Sequence, residues 1–233
     1  MQKHVFLCTG SDSVVFLDLK RDEYNMLAGE KAVAFSRLID PPCGALVAGH
    51  VPSQDGPDTA GIVGDLLSEG VLTEDVDAGK PIRATAIDPP MESLLELESI
   101  GLSEISLLVA WRACLACTMT ALKLKFSSIK TVVDSVAQIK VDKKVALGNP
   151  SLERIRDLTW AFLRLRLLFP KENLCLFDSL ALIYFLGYYG VFPTWVFGVR
   201  PAQWGAHCWV QLGPVLLNES VEAAEDYIPI MAV

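Results

Sequence analysis

A chain of 233 residues with 52% hydrophobic side chains has enough apolar material for one large core or two smaller ones, which excludes disorder by composition. A formal charge of -8 and a pI near 4.9 argue against a partner held through phosphates, because nucleic-acid binders present a basic face. Six cysteines (Cys8, Cys43, Cys114, Cys117, Cys175 and Cys208), with no charged-then-apolar leader ahead of them, point to reduced thiols in a cytoplasm and not to a disulfide framework.

The chain opens with strand grammar. HVFLC and SVVFLDL are short β-branched and aromatic runs parted by the turn residues Thr9, Gly10, Ser11 and Asp12. Lys20-Arg21-Asp22 reads as a second turn before a third strand at 23–26, which predicts a three-stranded antiparallel meander. The period then changes, and Leu27, Val33, Phe35, Leu38 and Ile39 predict a helix over 27–39, halted by Pro41-Pro42. After a loop rich in Gly, Pro and Asp, a further helix is expected from Asp58 as N-cap to Glu69, with Gly70 as its stop. This is a winged-helix-like βββααα module over 1–84, with its boundary in the polar, proline-bearing stretch 77–90.

The second half, 85–233, starts helical, with segments predicted at 91–99, 103–124, 126–140 and 151–168, the last capped by Ser151 and given a basic, solvated side by Arg154, Arg156, Arg164 and Arg166. Two apolar runs, 105–122 and 174–190, approach spanning length, but Arg112 and Asp178 would be costly at bilayer depth, so buried helices are expected and no membrane span. Cys114 and Cys117 form a C-x-x-C with no second ligand pair, so no metal site is expected, and two small residues on a buried helix suffice to explain them. No phosphate-cradling glycine motif is present. The chain closes on strands: TWVFGV, AHCWVQL and PVLLNES.

Within ENLCLFDSLALIYFLGYYG, Cys175 stands at the start of an apolar helix, with Asn173 as expected N-cap. A cysteine in an apolar helix is by default a small core residue. In a first turn, however, unpaired N–H groups and the helix dipole favour the thiolate. A base is available in His207, one of three histidines, which shares a strand face with Trp209 and Gln211 while Cys208 and Val210 take the other. If the following hairpin centres on Gly213, Glu219 lies opposite His207 and can orient it. A register one residue different would favour Asn218 instead, and an amide can do the same work.

CLFDSLAL at Cys175, GAHCWVQ at His207 and LLNES at Glu219 resemble the transglutaminase-like B2 leader peptidase of lasso peptide biosynthesis. In that family a cysteine opens a C-L-x-R-S-L-A-L-like motif, a histidine sits in A-H-A-W-V-E, and an acid follows; carried over, Cys175, His207 and Glu219 take the three catalytic roles. Four positions depart from the pattern: Asp178 replaces an arginine, Cys208 an alanine, Gln211 a glutamate and Glu219 an aspartate. Upstream, SVVFLDLKRDEYNML resembles the PqqD-like recognition element that binds leader peptides as an added strand, and the order of the two matches the fused lasso B protein. The docking edge would then be Glu23, Tyr24, Asn25 and Met26, with the 58–69 helix closing the groove, although Tyr24 serves equally as a packing residue.

The expectation is therefore an α+β chain: a PqqD-like domain over 1–84, then a papain/transglutaminase-like cysteine peptidase domain over 85–233, helical at 85–150, with catalytic motifs at 172–220 and antiparallel C-terminal strands. The resemblance implies a leader peptidase that needs no cofactor, its partners being the precursor leader and an asparagine-synthetase-like cyclase that supplies any ATP dependence. A transglutaminase-like acyltransferase using the same three residues, and a leader-binding chaperone with a dead catalytic half, are the alternatives.

Overall fold

The computed structural model describes residues 1–40, 58–96, 105–143, 150–169 and 174–233. The chain divides into two compact units: Met1–Ile87 with the short segments Gly198–Gly205 and Ile228–Met231, and Asp88–Phe197 with Ala206–Tyr227 and Ala232–Val233.

In the first unit, β1 (Val5–Thr9), β2 (Ser13–Asp18) and β3 (Glu23–Ala28) form the expected antiparallel meander in the order β1-β2-β3. The β2–β3 turn is fixed by Asp18, whose buried carboxylate accepts the N–H groups of Lys20 at 2.8 Å and Arg21 at 3.2 Å, leaving Asp22 in the left-handed region at φ 58. Helix α1 (Glu30–Ser36) starts later and ends earlier than the 27–39 pattern predicts, because Leu27 and Ala28 stay paired to β2 and Gly29, at φ 57, makes the corner. Pro41 and Pro42, expected to stop it, lie outside the described residues. Helix α2 (Thr59–Ser68) runs as predicted: Asp58 caps it through the Ala60 N–H at 2.9 Å, and Gly70 leaves it at φ 72.

The unit's core joins Val5, Leu7, Val14 and Phe16 of the sheet to Phe35, Ile62 and Leu66 of the helices, with Phe16 and Phe35 edge to face at 5.3 Å. Helix α1 packs on β2 and β3, and α2 packs on α1. The helix beside β3 is therefore α1 and not the 58–69 helix. Segment 79–85 runs along β1, through the Gln2–Gly79 bridge and the Thr85 N–H to Leu7 carbonyl bond, which leaves β3 as the other edge of the sheet.

The second unit begins with a correction. Residues 91–99 were expected as helix, yet Glu92–Ser93 form strand β4, paired in parallel with β7 (Val215–Leu216). The N–H groups of Met91 and Leu94 go to the Pro214 and Leu216 carbonyls, both at 2.9 Å, so a neighbouring strand satisfies the backbone that a helix would have satisfied locally. Residues 97–99 of that segment lie outside the described residues. Helices α3 (Leu107–Phe126), α4 (Ile129–Lys143), α5 (Leu152–Arg166) and α6 (Cys175–Gly187) follow, with α6 packed against α3 and α5.

Helix α6 is apolar all round and buried from Ser179 to Leu186, as a helix of that composition must be in a globular unit. Helix α5 buries Ile155, Leu158 and Phe162 at helical spacing and is capped by Ser151, as expected. Arg166 departs from the predicted solvated ladder, being only 4% exposed. Helix α3 is long and apolar enough to cross a membrane, with 22% of its apolar window buried. On it Cys117 is buried but Cys114 is exposed.

A five-stranded sheet, in the order β4-β7-β6-β5-β8, adds β5 (Thr194–Arg200), β6 (Gly205–Leu212) and β8 (Ile228–Ala232), with the short helix α7 (Val221–Glu225) before β8. Since β4 is parallel to β7, this sheet is mixed and not purely antiparallel. The β6–β7 hairpin pairs Gln211 with Leu216 and Leu212 with Val215, so its loop is the dipeptide Gly213-Pro214. Gly213 has φ 57, and a proline in the second position cannot take a positive φ, which makes this a type II′ loop.

Candidate active site

Cys175, His207 and Glu219 converge in the second unit. Cys175 is the first residue of α6 and half-buried. Leu174 occupies the N-cap position and makes no side-chain cap bond; Asn173, expected in that role, lies outside the described residues. The first backbone bond of the helix runs from the Asp178 N–H to the Leu174 carbonyl at 2.9 Å, so the N–H groups of the first turn have no intrahelical acceptor and keep their positive potential.

His207 lies near the start of β6, its ring between Tyr227, with centroids 5.2 Å apart, and Trp209 at 6.2 Å. Its Nε2 meets Glu219 Oε2 at 2.6 Å. That leaves the other ring nitrogen for Cys175, to which the ring is also hydrogen-bonded. Glu219 is held in turn: its Oε1 accepts the Ser220 N–H at 3.0 Å, and its carbonyl accepts the Ser93 hydroxyl at 2.6 Å.

Glu219 reaches the histidine by a different route from the one expected. The hairpin register is one residue off a Gly213-centred turn, and the ladder has ended before Glu219, which arrives on the irregular segment after β7. Asn218 does not meet His207. Its Oδ1 accepts the Val210 N–H at 2.8 Å and its Nδ2 donates to Ser179 Oγ at 3.1 Å.

The electrostatics follow from these contacts. The Cys175 thiol is lowered to about 4, chiefly by the Cys208 S–H and then the His207 ring, with the Cys208 backbone N–H helping and burial opposing. His207 is raised to about 9, by hydrogen bonding to Cys175 and then to Glu219, again against burial. Glu219 is held below the usual carboxylate range by His207. Burial, followed by the adjacent thiolate, pushes the Cys208 thiol well above its ordinary value, so Cys208 keeps its proton and donates it. Both shifts run in the direction that favours a thiolate–imidazolium pair.

The departures from the motif have physical counterparts. Asp178, next to a thiolate, bonds Arg166 Nε at 2.5 Å, and that guanidinium also lies over the Phe177 ring at 4.8 Å. A cation supplied from α5 therefore stands beside Asp178. Gln211 is 2% exposed and donates Nε2 to the Asp88 and Gly213 carbonyls, both at 2.6 Å, while its Oε1 accepts Trp209 Nε1 at 3.2 Å. A carboxylate there could not donate to those two carbonyls.

Sequence reasoning missed Cys208 as a member of the site, because strand alternation assigns it to the face away from His207. Its adjacency to His207 was the available signal. Glu23, Tyr24, Asn25 and Met26 lie on β3 in the first unit, where Glu23 and Met26 are exposed and Tyr24 packs edge-on against Trp204 of the same unit at 5.5 Å. Among the described residues no group of three or more His, Cys, Asp or Glu side chains is arranged to hold a metal ion.

The family model of the transglutaminase-like superfamily matches residues 116–232, half of the chain, a span that contains Cys175, His207 and Glu219. No curated protein and no solved structure matches the chain. With a cysteine at a helix start, a histidine on a strand and an acid on the histidine's far nitrogen inside the matched span, the chain belongs to the transglutaminase-like superfamily.

Proposed function

We propose that the chain is a cysteine peptidase that removes the leader from a ribosomally made lasso peptide precursor in the cytoplasm. The observation that carries the chemical part is the Cys175–His207–Glu219 array, in which Glu219 fixes the ring at 2.6 Å and the thiolate sits in an uncapped helix start.

In this reading the Cys175 thiolate attacks the carbonyl carbon of the bond before the core peptide. The negative charge that develops on the carbonyl oxygen is met by the Cys175 backbone N–H. As the tetrahedral adduct collapses, the His207 imidazolium gives its proton to the departing core amine, and the leader stays as a thioester on Cys175. Neutral His207 then takes a proton from water, hydroxide displaces the thiolate, and the leader leaves as a carboxylic acid. Glu219 stabilises the imidazolium in both halves of the cycle.

The leader is proposed to dock as a fourth strand on β3, along Glu23, Tyr24, Asn25 and Met26, which an edge strand with exposed side chains suits. The freed core amine is proposed to pass to an asparagine-synthetase-like cyclase, through which any ATP requirement enters.

The test is incubation of the full chain with a lasso precursor, read by mass spectrometry. The expected products are a leader with a free acid and a core with a free amine. Replacing Cys175 by Ala should abolish cleavage while leader binding, read by fluorescence anisotropy, is kept. A leader joined to an added amine would assign an acyltransferase instead. Unchanged processing by the Cys175→Ala variant would overturn the catalytic reading.

A further inference from the structure

Each catalytic residue has a neighbour that belongs to one polar chain centred on the buried Ser179. Ser179 lies one turn after Cys175 on α6 and is 0% exposed; its hydroxyl donates to the Cys208 carbonyl, next to His207, at 3.2 Å. The same hydroxyl accepts Asn218 Nδ2, next to Glu219, at 3.1 Å, and Asn218 Oδ1 accepts the Val210 N–H of β6 at 2.8 Å.

The direction of the chain is fixed. A backbone N–H can only donate, so the Asn218 oxygen must face Val210 and its nitrogen must face Ser179. Ser179 then accepts once and spends its single proton on the Cys208 carbonyl.

We infer that Ser179 and Asn218 form a positioning clamp that sets the Cys175–His207–Glu219 geometry by tying α6, β6 and the segment after β7 to one hydroxyl. The three catalytic side chains come from three separate elements and all three are partly exposed, so water competes for their mutual bonds. Cys208 is the sensitive link: its carbonyl is held by Ser179, while its N–H and S–H both reach the Cys175 sulfur. Loss of the Ser179 hydroxyl frees the Cys208 carbonyl and takes from the half-buried Asn218 Nδ2 its Ser179 acceptor.

This inference rests on the thiolate–imidazolium reading above, and one experiment separates the two. The rate of Cys175 alkylation by iodoacetamide is followed by mass across pH 4 to 9 in full-length wild type, Ser179→Ala, Asn218→Ala and Ser179→Thr, with melting temperatures alongside. The clamp predicts that both alanine variants alkylate about tenfold more slowly per folded molecule at pH 5 to 6 than wild type, their acid limbs being displaced upward. Ser179→Thr keeps the hydroxyl and should keep the wild-type pH profile even if its added methyl lowers the melting temperature. A purely structural role would lower melting temperatures and leave the pH profile of the folded fraction unmoved. That result, or failure of both alanine variants to fold, overturns the clamp alone. A wild-type rate that instead climbs roughly tenfold per pH unit between pH 6 and 8 overturns the ion pair and the clamp together.

Discussion

Replacing Glu219 by Gln removes a charge while keeping the shape of the arm. The carboxylate lies 2.6 Å from His207 Nε2, and the two side chains are 23% and 21% exposed. Two unit charges ~4 Å apart at an effective dielectric of ~20 interact by about 4 kcal/mol. Access of water to both groups halves this to about 2 kcal/mol, which corresponds to roughly 1.5 pKa units.

The carboxylate favours the protonated ring, so removing it lowers the His207 value, from about 9 in the native chain to roughly 7.5 by that arithmetic. The imidazolium is then lost earlier as pH rises, and the basic limb of the rate profile moves to lower pH. A charge-assisted hydrogen bond of about 2 kcal/mol also sets the expected fall in kcat at about 30-fold. The direct assay is NMR titration of the ring protons, which is practical because the chain has only three histidines. A His207 midpoint in the Gln variant equal to that of wild type would refute the role given to Glu219.

The S–H of Cys208 is the largest of the contacts that favour the Cys175 thiolate, so Cys208→Ala should move the acid limb of Cys175 alkylation upward from about 4; an unmoved limb would remove Cys208 from the site. Asp178→Asn strips the carboxylate from a guanidinium that is only 4% exposed, and should lower stability by about 3 kcal/mol, read by denaturant titration. Gly213→Ala forces a Cβ into φ 57 although nothing crowds it, and should cost about 1 kcal/mol from backbone strain alone. A circular-dichroism melt checks that value.

Local chemistry was legible in the sequence where the element was decided locally. The meander, the Asp58 and Ser151 caps and the Gly70 stop all follow from residues within a few positions of one another. The segment after Pro90 was misread because its backbone partners, Pro214 and Leu216, lie far along the chain, and tertiary pairing overrode helical spacing. The hairpin register was missed by one residue because a Gly-Pro dipeptide makes a tighter loop than a turn centred on glycine.

At the site, Cys175 and His207 were visible as residue types in a suitable order, and Glu219 met His207 although the register that suggested it was wrong. Asn218 looked interchangeable with Glu219 on strand alternation, yet its amide is consumed by Val210 and Ser179. Asp178 looked misplaced beside a thiolate because its partner, Arg166, sits on another helix and was counted as part of a solvated ladder.

The central claim is a preformed Cys175–His207 ion pair, and the pH dependence of Cys175 alkylation in the wild-type chain tests it most directly. The account predicts a rate that rises through about pH 4 and is already flat at pH 6. A rate that instead climbs roughly tenfold per pH unit between pH 6 and 8, as an ordinary thiol of pKa ~8.5 does, would contradict it.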